Sequence, residues 1–140
     1  MSEDKVKKFF LQINSDTKYL HKVERLSAQV ARYATLNESQ RDDLAIVTTE
    51  LVNNAIHHGN KNNPEKKVSI LFLVNSKRIE IRIKDEGSGF NPTQLKDPLA
   101  PENLMSESGR GIFLIKYLMD SINFNFSKDG TETIVIKNLH

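Results

Sequence analysis

The alternation of apolar and polar residues predicts most of the strands in this chain. Period two, which is typical of half-buried strands, recurs in five segments. These segments are Lys8–Ile13, Val68–Val74, Ile79–Ile83, Ile122–Phe126 and Thr133–Ile136. Asn75 and Ser76 are turn residues between the second and third segments, and Lys128, Asp129 and Gly130 join the last two. The pattern therefore predicts two antiparallel hairpins and one further strand.

Three other segments repeat apolar residues at spacings of three and four, the period of an amphipathic helix. The first begins at a cap on Ser15 or Asp16. The second runs from near Glu38 to His58 behind a capping box, and the third runs from Gly111 to about Met119. Gly59 is expected to end the second helix in the left-handed conformation.

A long loop is predicted over Asn91–Ser108, which holds three of the four prolines and has no sustained period. The order of elements is then strand, helix, helix, strand, strand, loop, helix, strand, strand. Helices clustered between antiparallel hairpins indicate an α+β fold. We expect a two-layer sandwich with helices on one face of a mixed, mostly antiparallel sheet.

Composition and charge narrow the function classes. The 140 residues are about one domain's worth, so residues 1–140 are expected to form a single domain. Twenty Lys and Arg against eighteen Asp and Glu give a net charge of +2 without charged blocks, which argues against direct nucleic-acid binding. The absence of cysteine excludes a thiol nucleophile and a zinc–thiolate site. Without a signal peptide or an apolar run of membrane-spanning length, we expect a soluble cytoplasmic protein that does not engage a membrane.

A polar row follows one edge of the second helix. Glu50, Asn54 and His58 are spaced i, i+4, i+8, so they share one edge beside the apolar stripe. The Asn54 carbonyl is a neutral oxygen ligand for a hard divalent cation, and Glu50 could orient or deprotonate a hydroxyl nucleophile. Spacing alone favours the simpler interpretation, a solvated helix edge.

Asp85 emerges at the end of a predicted strand and is followed closely by Gly87 and Gly89. Glycines allow close approach of the backbone to a ligand. An Asp placed there can accept a hydrogen bond from an exocyclic amine such as that of adenine, and Gly87 would leave space for the ring. An ordinary Asp-x-Gly turn is the alternative.

Gly109, Arg110 and Gly111 stand between the long loop and the third helix. Free N–H groups and the positive end of the helix dipole would suit an anion there. A plain loop before a helix explains the same residues. The chain lacks the P-loop motif and the dinucleotide fingerprint.

Taken together and in this order, the motifs resemble those of the GHKL (Bergerat-fold) ATPases, and within them the bacterial anti-sigma factor serine/threonine kinases. Glu50–Gly59 is similar to the family's N box and Asp85–Phe90 to its G1 box. Ser108–Ile115, with Leu118–Asp120, is similar to its G2 box. The resemblance covers nearly the whole chain and implies the histidine kinase-like ATPase fold.

The resemblance implies ATP and Mg²⁺ as ligands. It makes Asn54 the Mg²⁺ ligand, Asp85 the acceptor for the adenine amine, and Glu50 the general base that activates a partner's Ser or Thr hydroxyl. Asn91–Ser108 would be the ATP lid. The other implied ATP-binding positions are His58, Gly87, Gly89, Phe90, Gly109, Arg110, Gly111 and Thr131.

The function implied by the resemblance is that of a kinase in a partner-switching module. Such a protein binds a sigma factor and phosphorylates a STAS-type anti-sigma factor antagonist; the resemblance leaves open a homodimer. Two alternatives remain: a nucleotide-gated binding module without kinase activity, and a detached histidine-kinase ATPase domain. Glu50 favours the kinase. The absence of a phospho-acceptor helix pair from this sequence counts against the detached domain.

Overall fold

A five-stranded sheet forms one layer of the computed structural model, which describes residues 5–87 and 107–139. Its strands are β1 (Lys7–Asn14), β2 (Lys67–Val74), β3 (Arg78–Lys84), β4 (Ser121–Ser127) and β5 (Gly130–Asn138). The strand order is β1-β2-β3-β5-β4, and every pairing within the described ranges is antiparallel. All five predicted strands are present, and the α+β prediction is confirmed.

Three helices form the second layer: α1 (Leu20–Tyr33), α2 (Glu38–Asn54) and α3 (Glu107–Leu118). A short 3-10 turn, Thr17–Tyr19, precedes α1, and the Asp16 side chain caps it by accepting a hydrogen bond from the backbone of Lys18. The capping box predicted for α2 is present, because Asn37 and Gln40 exchange reciprocal bonds of 2.8 and 3.0 Å.

The core lies between the helices and one face of the sheet. Neighbouring strands place buried side chains in rows, and the register pairs Phe72 with Ile81 and Ile81 with Val135. Side chains at these three positions are completely inaccessible to solvent. From the other layer, α2 buries Val47 and α3 buries Ile115. This packing fixes both helices against the centre of the sheet.

Gly59 does not end the second helix as predicted. The chain continues beyond α2 in a π-helical turn, Ala55–Gly59, which is closed by a 2.8 Å bond from the Asn60 N–H to the Ala55 carbonyl. Left-handed backbone appears only later, at Lys61 (φ 52°) and Asn62 (φ 61°). The wider turn carries Gly59 past the end of α2 and toward the sheet, which explains why it is not a helix cap.

The start of the third helix also differs from the prediction. The third helix begins at Glu107, four residues before the predicted Gly111, so the last two residues of the predicted lid are helical. Gly111 packs closely on α2, which accounts for a glycine inside a helix. The remainder of the predicted lid, and with it Gly89 and Phe90, lies outside the described residues.

Glu80 is the third difference. Strict alternation along β3 predicts that Glu80 faces solvent, yet its side chain is only 8% exposed. Arg82 binds it at 2.6 Å and Arg78 at 3.4 Å, while Arg82 also lies 3.8 Å from Glu132. The hydrogen bond to Glu80 raises the pKa of the Arg82 guanidinium above its ordinary value. The long arginine side chains therefore cover the carboxylate on the open face of the sheet.

Candidate functional site

Asp85 stands at the centre of a tight corner at the end of β3. The β3–β5 register pairs Lys84 with Glu132, so the next residues, Asp85 and Thr131, face each other. The Asp85 N–H donates to the Thr131 carbonyl at 3.0 Å. In return, Asp85 Oδ1 accepts the N–H groups of Thr131 and Gly87, both at 3.0 Å. Asp85 is 6% exposed, and its carboxylate is held by backbone on one side.

Glycines enclose this carboxylate from three directions. A Cβ on Gly59 would lie 2.1 Å from Asp85 Oδ2, and one on Gly87 would lie 3.1 Å from Oδ1. Gly130 has φ +134°, and a Cβ there would lie 2.1 Å from the Asp85 carbonyl oxygen. Oδ2 accepts no hydrogen bond from residues 5–87 or 107–139. Oδ1 is thus held by two backbone N–H groups, whereas Oδ2 lies against Gly59 and has no hydrogen-bond donor among the described residues.

A second group of side chains lies where α2 meets α3. A Cβ on Gly111 would lie 2.8 Å from Glu50 Oε2 and 3.8 Å from Asn54 Nδ2. Asn54 Nδ2 is buried and has no hydrogen-bond partner among the residues that the structure describes. Most buried polar groups are satisfied, so an orphaned amide indicates a place for a ligand. Glu50 and Asn54 are both half-buried.

His58 lies in the π-helical turn rather than in α2, and its side chain is exposed. The structure brings Glu50 and Asn54 together with Gly111. Gly109 and Arg110 lie in the first turn of α3.

Sequence reasoning missed two contacts at the Asp85 corner. The sequence pattern predicts a helix stop at Gly59 and a turn at Gly130, whereas the structure places both glycines against Asp85. The only signal in the sequence was the position of each glycine beside a predicted site residue, His58 and Thr131.

The chain is similar to known proteins over most of its length. The family model of the histidine kinase-like ATPase domain matches residues 13–137. The chain belongs to this family. Among curated relatives, Serine-protein kinase RsbW of Listeria monocytogenes is 26% identical over 137 residues, covering 93% of this chain and 86% of the relative. Serine-protein kinase RsbW of Bacillus subtilis is 28% identical over 118 residues, covering 80% and 74%.

Two of the solved structures that match this chain are histidine kinases. The histidine kinase domain of the Erythrobacter litoralis EL346 blue-light activated histidine kinase matches with a TM-score of 0.60 at 15% identity over 91% of this chain, which spans 62% of that protein's solved chain. The mycobacterial sensor histidine kinase MprB matches with a TM-score of 0.55 at 15% identity, covering 93% of this chain and 97% of that one. Both confirm the predicted fold.

None of the helices within residues 5–87 and 107–139 has the length and apolar character needed to cross a bilayer. In the same ranges, no three His, Asp or Glu side chains are grouped closely enough to hold a metal ion between them.

Proposed function

We propose that the chain is an ATP-dependent protein serine/threonine kinase that binds a sigma factor in the cytoplasm and phosphorylates a STAS-type anti-sigma factor antagonist. The observation that carries the proposal is that two groups of polar side chains lie along one helical segment, formed by α2 and the π-helical turn that continues it. Asp85 with its three glycines lies at one end, and Glu50 with Asn54 lies about two turns earlier on α2. The names of the RsbW relatives support a serine kinase.

Asp85 is suited to select adenine. Because Oδ1 is occupied by two backbone N–H groups, the carboxylate cannot rotate freely, and Oδ2 is left as the oxygen that would accept from a ligand. A carboxylate oxygen accepts the exocyclic amine of adenine but repels the carbonyl oxygen that guanine carries at the same place. Gly87 and Gly59 keep side chains away from the ring.

The residues present fit Mg²⁺ bound with the ATP phosphates. Rotation of the Asn54 amide by half a turn would present Oδ1 in place of the orphaned Nδ2, and Oδ1 is an oxygen ligand of the kind that Mg²⁺ prefers. When bound, Mg²⁺ supplies positive charge that offsets the charge developing on the phosphoryl group. Gly111 keeps this space open beside Asn54.

Glu50 is the proposed general base. Its carboxylate is half-buried, accepts no hydrogen bond from the described residues, and faces the start of α3. The partner's hydroxyl oxygen attacks the γ-phosphorus while its proton passes to Glu50. The bond from that phosphorus to the β–γ bridging oxygen breaks, and ADP leaves. Positioning and electrostatics account for most of such catalysis, so we expect Glu50 to act mainly by orienting the hydroxyl.

Calorimetry of ATP binding with and without Mg²⁺ tests the nucleotide site. Asp85→Asn should weaken ATP binding at least about tenfold, because an amide cannot replace the carboxylate as an acceptor at both oxygens. Asn54→Ala should remove most of the Mg²⁺ dependence. The exposed Asp129→Asn, on the β4–β5 turn, is the matched control and should bind like the wild type. Wild-type protein that binds no ATP would overturn the proposal.

Phosphotransfer distinguishes the kinase from a nucleotide-gated binding module. The readout is ³²P transfer from ATP to a STAS-type antagonist. Glu50→Gln should lower kcat at least about a hundredfold with little change in ATP affinity, since general bases contribute about 10²–10⁴-fold. Asp42→Asn, an exposed carboxylate on the same helix, should leave the rate unchanged. ATP-dependent binding of the antagonist or sigma factor without transfer would favour the module. Light scattering of the same samples tests the homodimer.

A further inference from the structure

Asn60 is a buried polar residue that makes three side-chain hydrogen bonds directly after the π-helical turn. Its relative exposure is 1%. Its Oδ1 accepts the N–H of Glu86 at 2.7 Å, and its Nδ2 donates to Ser15 Oγ at 2.6 Å and to the Lys67 carbonyl at 2.9 Å. The sequence pattern assigns Asn60 only to a polar loop, yet the amide joins four separate segments.

Glu86 is held in place by two hydrogen bonds although it is exposed. Its side chain accepts the Lys67 N–H at 2.5 Å, and its own N–H donates to Asn60. On the far side, Ser15 Oγ donates to the Lys66 carbonyl at 2.9 Å, which ties the end of β1 to the start of β2. Asn60 thus has one contact toward the Asp85 corner and two contacts toward the strand ends.

The contact with Glu86 bears directly on Asp85. The Glu86 N–H belongs to the peptide group that follows Asp85, so fixing its direction fixes the plane of that peptide. Thr131 holds Asp85 from the β5 side, through the Asp85 N–H and Oδ1. Asn60 holds the peptide group that follows Asp85 through the Glu86 N–H, and Gly59 packs on the carboxylate. The backbone that carries this carboxylate is therefore held on both sides of Asp85 along the chain.

We propose that Asn60 is a positioning residue that sets the direction of the Asp85 carboxylate and thereby the discrimination between 6-amino and 6-oxo purine nucleotides. The inference rests on the proposed function, because it assigns a role within the same nucleotide site. Asn60 acts only through the Asp85–Glu86 peptide. Its loss should affect base selection more than it affects phosphate or Mg²⁺ binding.

The test compares the affinities for ATP and inosine triphosphate, which differ at the position of the exocyclic amine. We expect the wild type to favour ATP at least about tenfold, because a site built to accept a hydrogen bond rejects a ligand that cannot donate one. Asn60→Ala should lower this preference to about threefold or less. Asn60→Ser, which can retain a water molecule in the vacated space, should show the same loss if the alanine variant does not fold.

Ser15→Ala is the matched control. It removes one bond of the same buried amide but leaves the contact with Glu86 intact, so it should lower thermal stability while retaining the wild-type preference for ATP. Hydrogen exchange of the Glu86 amide gives a direct readout: protection should persist in Ser15→Ala and disappear in Asn60→Ala and Asn60→Ser. Asn60→Asp retains an acceptor for that amide and should restore the preference.

The outcomes separate the inference from the proposed function. If the wild type binds neither nucleotide, both are overturned. If the wild type favours ATP and Asn60→Ala and Asn60→Ser favour it equally, the inference alone is wrong, and Asn60 only stabilises the fold. An equal loss of preference in Ser15→Ala would also overturn the inference, because a general loosening of the strand ends would then explain the effect.

Discussion

At the scale of single residues, the candidate site depends on side chains that are absent as much as on those that are present. Asp85 provides the polar atoms, and Gly59, Gly87 and Gly130 provide the space around them. The first two of these contacts need close approach, and Gly130 also needs a positive φ. Substitution of a glycine is therefore a sensitive probe of the corner.

Gly59→Ala should disrupt the Asp85 corner. The added Cβ would lie 2.1 Å from Oδ2 and 2.4 Å from Cγ, so Asp85 must move and lose the bonds from Gly87 and Thr131. We expect a loss of about 1–3 kcal/mol in the free energy of unfolding, the usual range for overpacking. Urea denaturation measures it.

Gly111→Ala provides the comparison for stability. Its Cβ would meet the end of the Glu50 side chain at 2.8 Å, and a flexible side chain can move aside. Alanine also raises helix propensity in α3, by up to about 1 kcal/mol. The free energy of unfolding should therefore change much less than for Gly59→Ala. Equal destabilisation by the two substitutions would contradict the view that Asp85 is rigidly enclosed.

The chemical types at the site were predictable, and their surroundings were not. Glu50, Asn54 and Asp85 carry groups whose chemistry can be recognised in a sequence, and two of them are related by helical spacing. Contacts of Gly59 with Asp85 depend on how the π-helical turn meets the end of β3, which no local pattern encodes. Burial of Asn60 escaped prediction for the same reason.

At the scale of elements, the sequence pattern predicted the five strands and the helices α1, α2 and α3 of the described residues, while several ends differ because tertiary contacts set them. The end of α1 shows a purely local determinant. Leu36 N–H binds the Ala31 carbonyl at 3.0 Å and Thr35 N–H binds the Arg32 carbonyl at 3.2 Å, the pair of bonds in a Schellman motif. Thr35 occupies its left-handed position at φ 56°, where glycine is usual.

Thr35→Gly should stabilise the protein. A β-branched residue in the left-handed region costs about 1–2 kcal/mol, whereas glycine adds about 0.5–1 kcal/mol of unfolded-state entropy to overcome. The Thr35 side chain is exposed, so its removal forfeits little packing. We expect a net gain of about 0.5–1 kcal/mol in urea denaturation at an unchanged m value. Thr35→Ala keeps a Cβ and should give little gain; a comparable gain would show that backbone strain is not the cause.

Strand β3 presents a second element-scale test, on the open face of the sheet. Arg82→Ala removes the 2.6 Å bond to the nearly buried Glu80 carboxylate and should cost about 1–3 kcal/mol of stability. Arg78→Ala is the matched control, since Arg78 lies 3.4 Å from Glu80 with a side chain that is 50% exposed; it should cost less than about 0.5 kcal/mol. Chemical denaturation of both variants gives the comparison, and equal costs would contradict the assigned roles.

At the scale of the whole molecule, the Asp85 corner joins both layers. Its contacts come from the end of β3, the start of β5 and the turn that continues α2, while Glu50 and Gly111 connect α2 to α3. These segments are far apart in sequence, and each contributes a side to one site. A ligand held between them would add contacts that join these segments.

Mg²⁺ and ATP together should therefore raise the thermal stability of the entire domain. A ligand at a hundred times its Kd stabilises the native state by about 2.7 kcal/mol. With an unfolding entropy of about 2.1 cal/mol/K per residue, that corresponds to a rise in Tm of about 9 °C for a chain of this length. Differential scanning calorimetry gives Tm at several ATP concentrations. Asp85→Asn should reduce the shift at equal ATP concentration, and Asp129→Asn should retain it. A shift confined to one part of a biphasic transition would contradict the picture, because the site could not then span both layers of a single cooperative unit.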